Sequence, residues 1–249
     1  MPKPKWNSYL CNVNDKLASI YLDLALREVA PVDSRPWLLW VWVDMRTPRP
    51  DGLSDSDEAP TLYQIEDALT ATISASCRAT LAGRITTDGR REFYFYGEEK
   101  DGFSSVAHQA LSAFEGYRVD LGTEYEPDWN QYLNVLYPNP EELQRIGNRD
   151  VLDVMKREGD SQAIPREVMH WIFFETADRR RLFRSEAEAL GYRINSEHEA
   201  ETSAPYSIAV SRIQSIEQDR IDETVLELLR LAQRFSGEYD GWESPVMKQ

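Results

Sequence analysis

The sequence predicts an α+β chain built from two consecutive βαββαβ units, the first carrying an extra hairpin at its start. Three observations lead to this prediction. Short runs rich in β-branched and aromatic residues alternate with amphipathic helical patterns along the 249 residues. Asp88-Gly89 is a strong signal for a tight turn between two adjacent strands. The order strand, helix, strand, strand, helix, strand then occurs twice, and it is typical of a ferredoxin-like plait, in which two helices cover one face of an antiparallel sheet.

In the first half, two strand patterns form the extra N-terminal hairpin and precede the repeated unit. The run WLLWVWV is typical of a buried strand, since it is short, aromatic and β-branched. The next helix pattern begins at Thr61, which fits a capping box with Gln64. The predicted elements are strands at 6–13, 17–26 and 37–43, a helix at 61–77, strands at 79–85 and 92–97, a helix at 104–114 and a strand at 117–125.

The second half repeats this order after a linking helix. Thr176 is suited to cap the helix that follows the first strand of this half. Four side chains of that helix are expected to face inward: Leu182, Phe183, Ala187 and Leu190. The last helix carries an apolar stripe formed by Ile221, Val225, Leu228, Leu229 and Ala232. The predicted elements are a helix at 139–159, a strand at 167–175, a helix at 176–191, strands at 192–201 and 206–213, a helix at 219–235 and a strand at 238–246. We therefore predict two domains, residues 1–137 and 138–249.

The chain is strongly acidic. It has 28 Lys plus Arg against 43 Asp plus Glu, which gives a net charge of −15 and a pI near 4.7. Both predicted domains share this bias, since the first has 13 basic and 21 acidic residues and the second has 15 and 22. Such a surface repels phosphate backbones and attracts basic partners, although acidity also serves solubility alone. We expect a basic protein partner and no direct contact with nucleic acid.

One strand pattern raises the question of RNA binding, because RNA-recognition modules share the plait and stack bases on aromatic strand residues. Residues 92–97, EFYFYG, carry four aromatic residues in succession, so two point to each face of the sheet. One face must cover the helices, which leaves the other pair available to solvent. The acidic surroundings argue against a groove that follows a phosphate backbone, so RNA stacking is not the preferred interpretation.

The cysteines and the apolar runs indicate a cytoplasmic protein that does not enter a membrane. Cys11 and Cys77 are too few for a disulfide framework in a chain of this length. The start MPKPKWNSYL has no apolar core of the kind found in signal peptides. The most apolar run, residues 37–43, is too short to span a bilayer.

No catalytic or metal-binding motif is recognisable. His108, His170 and His198 have neither H-x-x-H nor H-E-x-x-H spacing, and no P-loop, G-x-S-x-G or G-x-G-x-x-G is present. His198 is flanked by Glu197, Glu199 and Glu201, residue types that chelate cations, but on a strand only positions 197, 199 and 201 share a face. Neighbouring strand residues alternate between faces, so a solvated acidic hairpin is the preferred interpretation. We predict a protein that is not an enzyme and binds no cofactor and no metal.

The segment GEYDGWESP, residues 237–245, follows the last helix and supplies the closing strand. Its Gly241 allows a bulge or a close approach of another segment. Tyr239 and Trp242 point to opposite faces unless a bulge resets the alternation. If Tyr239 seals the core, Trp242 lies at the rim beside Asp240, as an aromatic binding anchor next to a carboxylate. The candidate protein-binding residues are Tyr239, Asp240, Gly241, Trp242 and Glu243, and packing is the alternative role of this segment.

Two resemblances add to this interpretation. The ending LELLRLAQRFSGEYDGWESP resembles the regulator of ribonuclease E activity B family, whose last helix runs into a nearly identical E-Y-D-G-W segment, and the resemblance covers about residues 139–247. It implies a small acidic bacterial plait that is not an enzyme, binds ribonuclease E and inhibits or redirects RNA decay. The preceding half resembles a bacterial domain of unknown function (number six-nine-five) in WLLWVWVDM, DGRREFYFY and WNQYLNVLYP, which implies no activity.

These observations predict a cytoplasmic, non-catalytic regulator that binds a basic protein, with ribonuclease E as the partner that the resemblance implies. A compact acidic surface is suited to occupy arginine-rich segments of a nuclease that otherwise hold RNA. Two alternatives stay open. One is an immunity or antitoxin-like protein that binds a basic toxin, and the other is a hydrolase with a site at the domain junction. The sequence leaves the oligomeric state open.

Overall fold

A computed structural model describes residues 1–248 of the chain. It contains helices and two antiparallel sheets, which confirms the predicted α+β class. The chain divides into two compact units, residues 1–138 and 139–249. Each unit builds a hydrophobic core of its own between a sheet and its helices.

The first unit is organised around a six-stranded sheet. Its elements are strands β1 (Trp6–Val13), β2 (Lys16–Asp23) and β3 (Trp37–Asp44), helix α1 (Ala59–Cys77), strands β4 (Thr80–Thr87) and β5 (Arg90–Gly97), helix α2 (Phe103–Leu111) and strand β6 (Val119–Tyr125). Neighbouring strands pair antiparallel in the order β1-β2-β4-β5-β3-β6. The predicted strand 17–26 is too long, because Asp23 ends β2 and its side chain caps a short 3-10 helix at Leu24–Glu28.

The turn between β4 and β5 confirms the hairpin predicted from Asp88-Gly89. Thr87 pairs with Arg90, so the loop contains two residues. Asp88 and Gly89 have φ angles of 46° and 79°. Positive φ at both central positions is what a two-residue hairpin turn requires to match the twist of its strands, and glycine and aspartate adopt it most readily.

Helix α1 begins two residues earlier than predicted, and the capping box of Thr61 and Gln64 is wrong. Pro60 lies in the first turn, where its fixed φ suits a helix and its missing N–H removes no helical hydrogen bond. Glu58 stands before the helix without capping it through its side chain. Its carboxylate instead accepts hydrogen bonds from the N–H groups of Arg46 and Thr47, at 2.7 and 2.8 Å.

The aromatic strand EFYFYG is covered on both faces, and all four of its aromatic residues are buried. Phe93 and Phe95 belong to the core beneath α1 and α2. On the other face, the ring of Trp129 stacks on Tyr96 with centroids 3.9 Å apart. Trp129 precedes a π-helical turn, Gln131–Leu136, that the sequence did not predict. The solvent-exposed aromatic pair considered for RNA stacking is therefore wrong for this strand.

The second unit contains a four-stranded sheet. Its elements are helix α3 (Pro140–Arg157), strand β7 (Arg166–Phe174), helix α4 (Ala177–Ala189), strands β8 (Arg193–Glu199) and β9 (Tyr206–Gln214), helix α5 (Gln218–Arg234) and strand β10 (Gly237–Glu243). Neighbouring strands pair antiparallel in the order β10-β7-β9-β8. Strand β10 is therefore an edge strand beside β7.

The predicted stripe of α5 is confirmed, since all five of its residues are buried in the core of this unit. The prediction for α4 is half wrong. Phe183 and Ala187 are fully buried, but Leu182 and Leu190 are 51% and 44% exposed. Leu182 is one residue from Phe183 and so points about 100° around the helix, away from the sheet. Leu190 lies beyond the last helical residue.

Across residues 1–248, the structure holds no helix that combines the length and the apolar character needed to cross a membrane.

Candidate protein-binding site

Strand β10 contains the candidate site, and a bulge decides where its side chains point. Tyr239 lies opposite Ile172, and Trp242 lies opposite His170. Three positions separate the two β10 residues but only two separate their partners on β7, so Asp240 is an extra residue in the strand. The alternation of side chains between the two sheet faces is therefore shifted by one residue after Asp240. Tyr239 and Trp242 point to the same face, which is the face that the helices cover.

Tyr239 belongs to the core. Its hydroxyl forms a 2.8 Å hydrogen bond with Nδ1 of His170, which is fully buried. Burial, with a smaller contribution from the charge of Arg212, lowers the pKa of His170 to about 3. Burial also raises the pKa of Tyr239 well above its usual range. Both groups are neutral at physiological pH and shielded from solvent, which suits packing and does not suit acid–base chemistry.

Trp242 is not the exposed rim anchor that the sequence suggested. It is partly buried and packs against the core of the second unit. Its indole N–H donates a 2.8 Å hydrogen bond to Oδ1 of Asn148 on α3. Asn148 in turn donates from Nδ2 to Oδ1 of Asp222 on α5, at 2.7 Å. The two aromatic side chains of E-Y-D-G-W thus both face inward, because the bulge at Asp240 turns Trp242 to the face on which Tyr239 already lies.

The accessible side chains of this segment are carboxylates. Asp240 and Glu243 are exposed, and so is Glu238, one residue before Tyr239. Among the residues that the structure describes, none of these three carboxylates takes part in an ion pair. Gly241 follows the bulge with a φ of 130°, a conformation that side chains disfavour.

The sheet face opposite the helices carries apolar residues that were not predicted from the sequence. Met169, Trp171 and Phe173 on β7 are partly exposed, whereas the residues that alternate with them, at positions 168, 170, 172 and 174, are buried. Register places Glu238 opposite Phe173 and Glu243 opposite Met169, on this same face. The period-two alternation in VMHWIFF was the signal that could have identified it, because Val168 and Ile172 must face the helices.

The histidine and glutamates of β8 lie on different faces, as expected for a strand. Glu197 and Glu199 face α4, where Arg180 lies 3.4 and 3.5 Å from their carboxylates. His198 lies opposite Ser207 on the other face. Among residues 1–248, no group of three or more His, Cys, Asp and Glu side chains is arranged to hold a metal ion.

Comparison with known proteins identifies two consecutive families in this chain. Residues 4–137 match the model of a family of unknown function, DUF695, and residues 145–244 match the model named regulator of ribonuclease activity B. No curated protein matches the chain. A crystal structure of an unknown protein from Galdieria sulphuraria aligns with 85% of this chain and 99% of its own chain at 11% identity, but its TM-score is 0.23, too low to inform the fold.

The two family matches follow the order predicted from the resemblances, and the first spans more than half of the chain. The chain therefore belongs to the family of unknown function DUF695, and its second half matches the regulator of ribonuclease activity B.

Proposed function

We propose that this chain is a cytoplasmic, non-catalytic regulator that binds a basic segment of a ribonuclease, with ribonuclease E as the target, and thereby modulates RNA decay. The observation that carries the proposal is the match of residues 145–244 to the regulator of ribonuclease activity B. This match covers most of the second unit, including the whole of β10.

The electrostatics of β10 support a basic partner. Asp240 and Glu243 are exposed at an edge strand, and neither is neutralised by an ion pair within the described residues. Carboxylates at such positions attract cationic segments from solution and hold them through charge-assisted hydrogen bonds. The acidic balance of both halves strengthens this attraction and opposes binding of an RNA backbone.

We infer that each unit is a ferredoxin-like plait and that the units correspond to two domains, residues 1–137 and 138–249. The strand orders β10-β7-β9-β8 in the second unit and β4-β5-β3-β6 within the first sheet support this interpretation. In both, the first and third strands of a βαββαβ unit lie in the centre and the second and fourth at the outside, as in the plait. In the second domain, such a plait leaves one sheet face without helices, where a partner has access.

A non-catalytic role agrees with the chemistry of the second domain. Its buried histidine, His170, is held neutral beside Tyr239, and neither group reaches solvent. The segment that the family match covers presents exposed carboxylates on its edge strand β10. Binding is the activity that such a surface supports.

The test is the affinity of the purified protein for an arginine-rich segment of ribonuclease E, measured by calorimetry at low and moderate salt. Replacing Asp240→Asn together with Glu243→Gln should weaken binding several-fold and flatten its salt dependence. The matched control is Asp153→Asn with Glu158→Gln, which removes two exposed carboxylates from the α3 side of the same unit. Equal losses in the two double variants, or salt-independent binding, would argue against this site.

Affinity purification from the native host separates this proposal from a toxin-binding role. Recovery of a ribonuclease supports the regulator, whereas recovery of a small basic toxin and no ribonuclease supports an immunity protein.

A further inference from the structure

We propose that the helix-free face of the second sheet recognises arginine side chains of a basic protein segment, with Trp171 as the ring on which a guanidinium stacks. This inference rests on the proposed function for the basic character of the partner, and it adds the surface and the kind of side chain that is recognised.

Trp171 has unusually small neighbours across the sheet. It lies opposite Gly241 on β10 and Ala209 on β9. A Cβ atom added to Gly241 would meet no other atom within 4 Å, so the space beside the indole is open on that side. Met169 and Phe173 continue the apolar strip along β7, on the same face. A flat, partly exposed indole with clear flanks is suited to receive a planar group.

The chain already uses arginine in this way elsewhere. The guanidinium of Arg90 lies 4.3 Å from the ring centre of Trp42, and that of Arg212 lies 4.6 Å from the ring centre of Tyr192. Such contacts are attractive because the ring face carries negative charge density. Within residues 1–248, the ring of Trp171 has no cation over it. The Trp171 ring is therefore of the same kind as the rings that arginines of this chain cover, and it is available to an arginine of a partner.

The carboxylates around Trp171 complement a guanidinium. Glu238 and Glu243 lie on β10 opposite Phe173 and Met169, each two rows along the sheet from Gly241 and on the same face as Trp171. Such diagonal neighbours on adjacent strands are about 7–8 Å apart, which long side chains span, so an arginine stacked on Trp171 reaches either carboxylate with its planar fork. Lysine offers a point charge without the flat stacking surface, so the site should prefer arginine.

The charge of this face is asymmetric, which indicates where the partner lies. The two glutamates of β10 form no ion pair within the described residues, whereas Glu167 on β7 lies 3.9 Å from Arg193, which is exposed on β8 at the opposite edge of the same face. A cationic segment is therefore drawn toward the unpaired carboxylates of β10. The same carboxylates oppose an RNA backbone, although a bare aromatic strip could otherwise stack bases.

The experiment compares two labelled peptides of equal length, one alternating glycine with arginine and the other alternating glycine with lysine. The whole chain should bind the arginine peptide about tenfold more tightly, because stacking adds to charge attraction. Trp171→Ala should remove this preference, while Trp171→Phe should retain much of it. Glu238→Gln with Glu243→Gln should weaken both peptides by similar factors. Leu182→Ala removes an exposed side chain from the helix side and should change neither affinity.

Several outcomes would overturn the inference. One is an arginine preference that persists in a folded Trp171→Ala protein, as judged by circular dichroism. A second is tight binding of a single-stranded RNA oligonucleotide that depends on Trp171. A third is self-association, seen by sedimentation, that Trp171→Ala abolishes. The peptides contain no ribonuclease sequence, so failure to bind ribonuclease E with an intact arginine preference would remove the proposed target and leave this surface standing.

Discussion

The indole N–H of Trp242 donates a hydrogen bond to Oδ1 of Asn148, 94 residues earlier in the chain, at 2.8 Å. Asn148 is 2% exposed and continues the connection to Asp222 on α5. The closing strand is thereby joined to two helices through one buried amide. The aromatic side chains of E-Y-D-G-W thus pack in the interior of the second unit, whereas Glu238, Asp240 and Glu243 are exposed to solvent.

The first prediction concerns this bond. Trp242→Phe keeps an aromatic ring but leaves the Asn148 oxygen without its donor, so the free energy of unfolding should fall by about 1–3 kcal/mol. Urea denaturation followed by circular dichroism measures the change. Trp171→Phe is the matched control on the opposite face and should alter stability by about 0.5 kcal/mol or less. Equal effects in the two variants would show that the bond to Asn148 is unimportant.

The second prediction concerns the buried ion pair of Arg166 and Asp160, whose side chains are 2% and 0% exposed and 2.6 Å apart. Asp160 also accepts a 2.7 Å hydrogen bond from the N–H of Met247, and Arg166 donates to the carbonyl of Pro245 at 3.1 Å. Asp160→Asn leaves a buried guanidinium without its counter-charge and should cost about 3–5 kcal/mol.

Hydrogen exchange should show the same substitution increasing exchange at the amide of Met247, since it loses the carboxylate that accepts its hydrogen bond. The exposed pair of Arg184 and Glu188 provides the control, because Glu188→Gln should cost less than about 1 kcal/mol. If the two substitutions have similar effects, the buried pair does not stabilise this end of the unit.

The third prediction is a dependence of stability on pH that originates at His170. Its pKa of about 3 in the folded chain lies below the value near 6.5 of an unfolded chain, so the unfolded state binds more protons between these values. The contribution of neutral His170 to the free energy of unfolding is therefore fully present above about pH 6.5. Below that pH, the free energy of unfolding should fall by up to about 1.4 kcal/mol per pH unit.

The difference between wild type and His170→Gln isolates this effect, because the carboxylates titrate alike in both proteins. The ring signals of His170 in NMR spectra should also stay unchanged down to about pH 5. Titration of this ring near its unperturbed value would show that His170 is accessible to solvent and would refute the burial on which the prediction depends.

The fourth prediction concerns the cover of the first sheet. Trp129 is fully buried against Tyr96 and donates its indole N–H to a backbone carbonyl at 2.9 Å. Trp129→Ala should lower the free energy of unfolding by about 3–5 kcal/mol. Leu10→Ala, at a residue that is 62% exposed in the same unit, should cost about 0.5 kcal/mol or less. A small effect at Trp129 would mean that the sheet does not need this cover.

Local signals predicted much of the fold and little of the site. The turn at Asp88-Gly89 and the stripe of α5 depend on neighbouring residues alone, so they could be read from the sequence. Tyr96 is covered by the ring of Trp129, which lies 33 positions later in the chain. A contact between residues so far apart leaves no local pattern in the sequence. At the site, the extra residue Asp240 reverses the direction of every side chain after it, and only the pairing with β7 reveals which residue is bulged.

The rate of RNA cleavage by full-length ribonuclease E, measured at increasing concentrations of this protein, shows whether the chain regulates the nuclease. We predict a saturable change in the rate, with no cleavage by the protein alone. The variant Asp240→Asn with Glu243→Gln should require several-fold more protein for the same change, whereas Asp153→Asn with Glu158→Gln should behave as wild type. An unchanged cleavage rate at saturating protein would exclude regulation of ribonuclease E, and RNA cleavage in the absence of the ribonuclease would exclude a non-catalytic role.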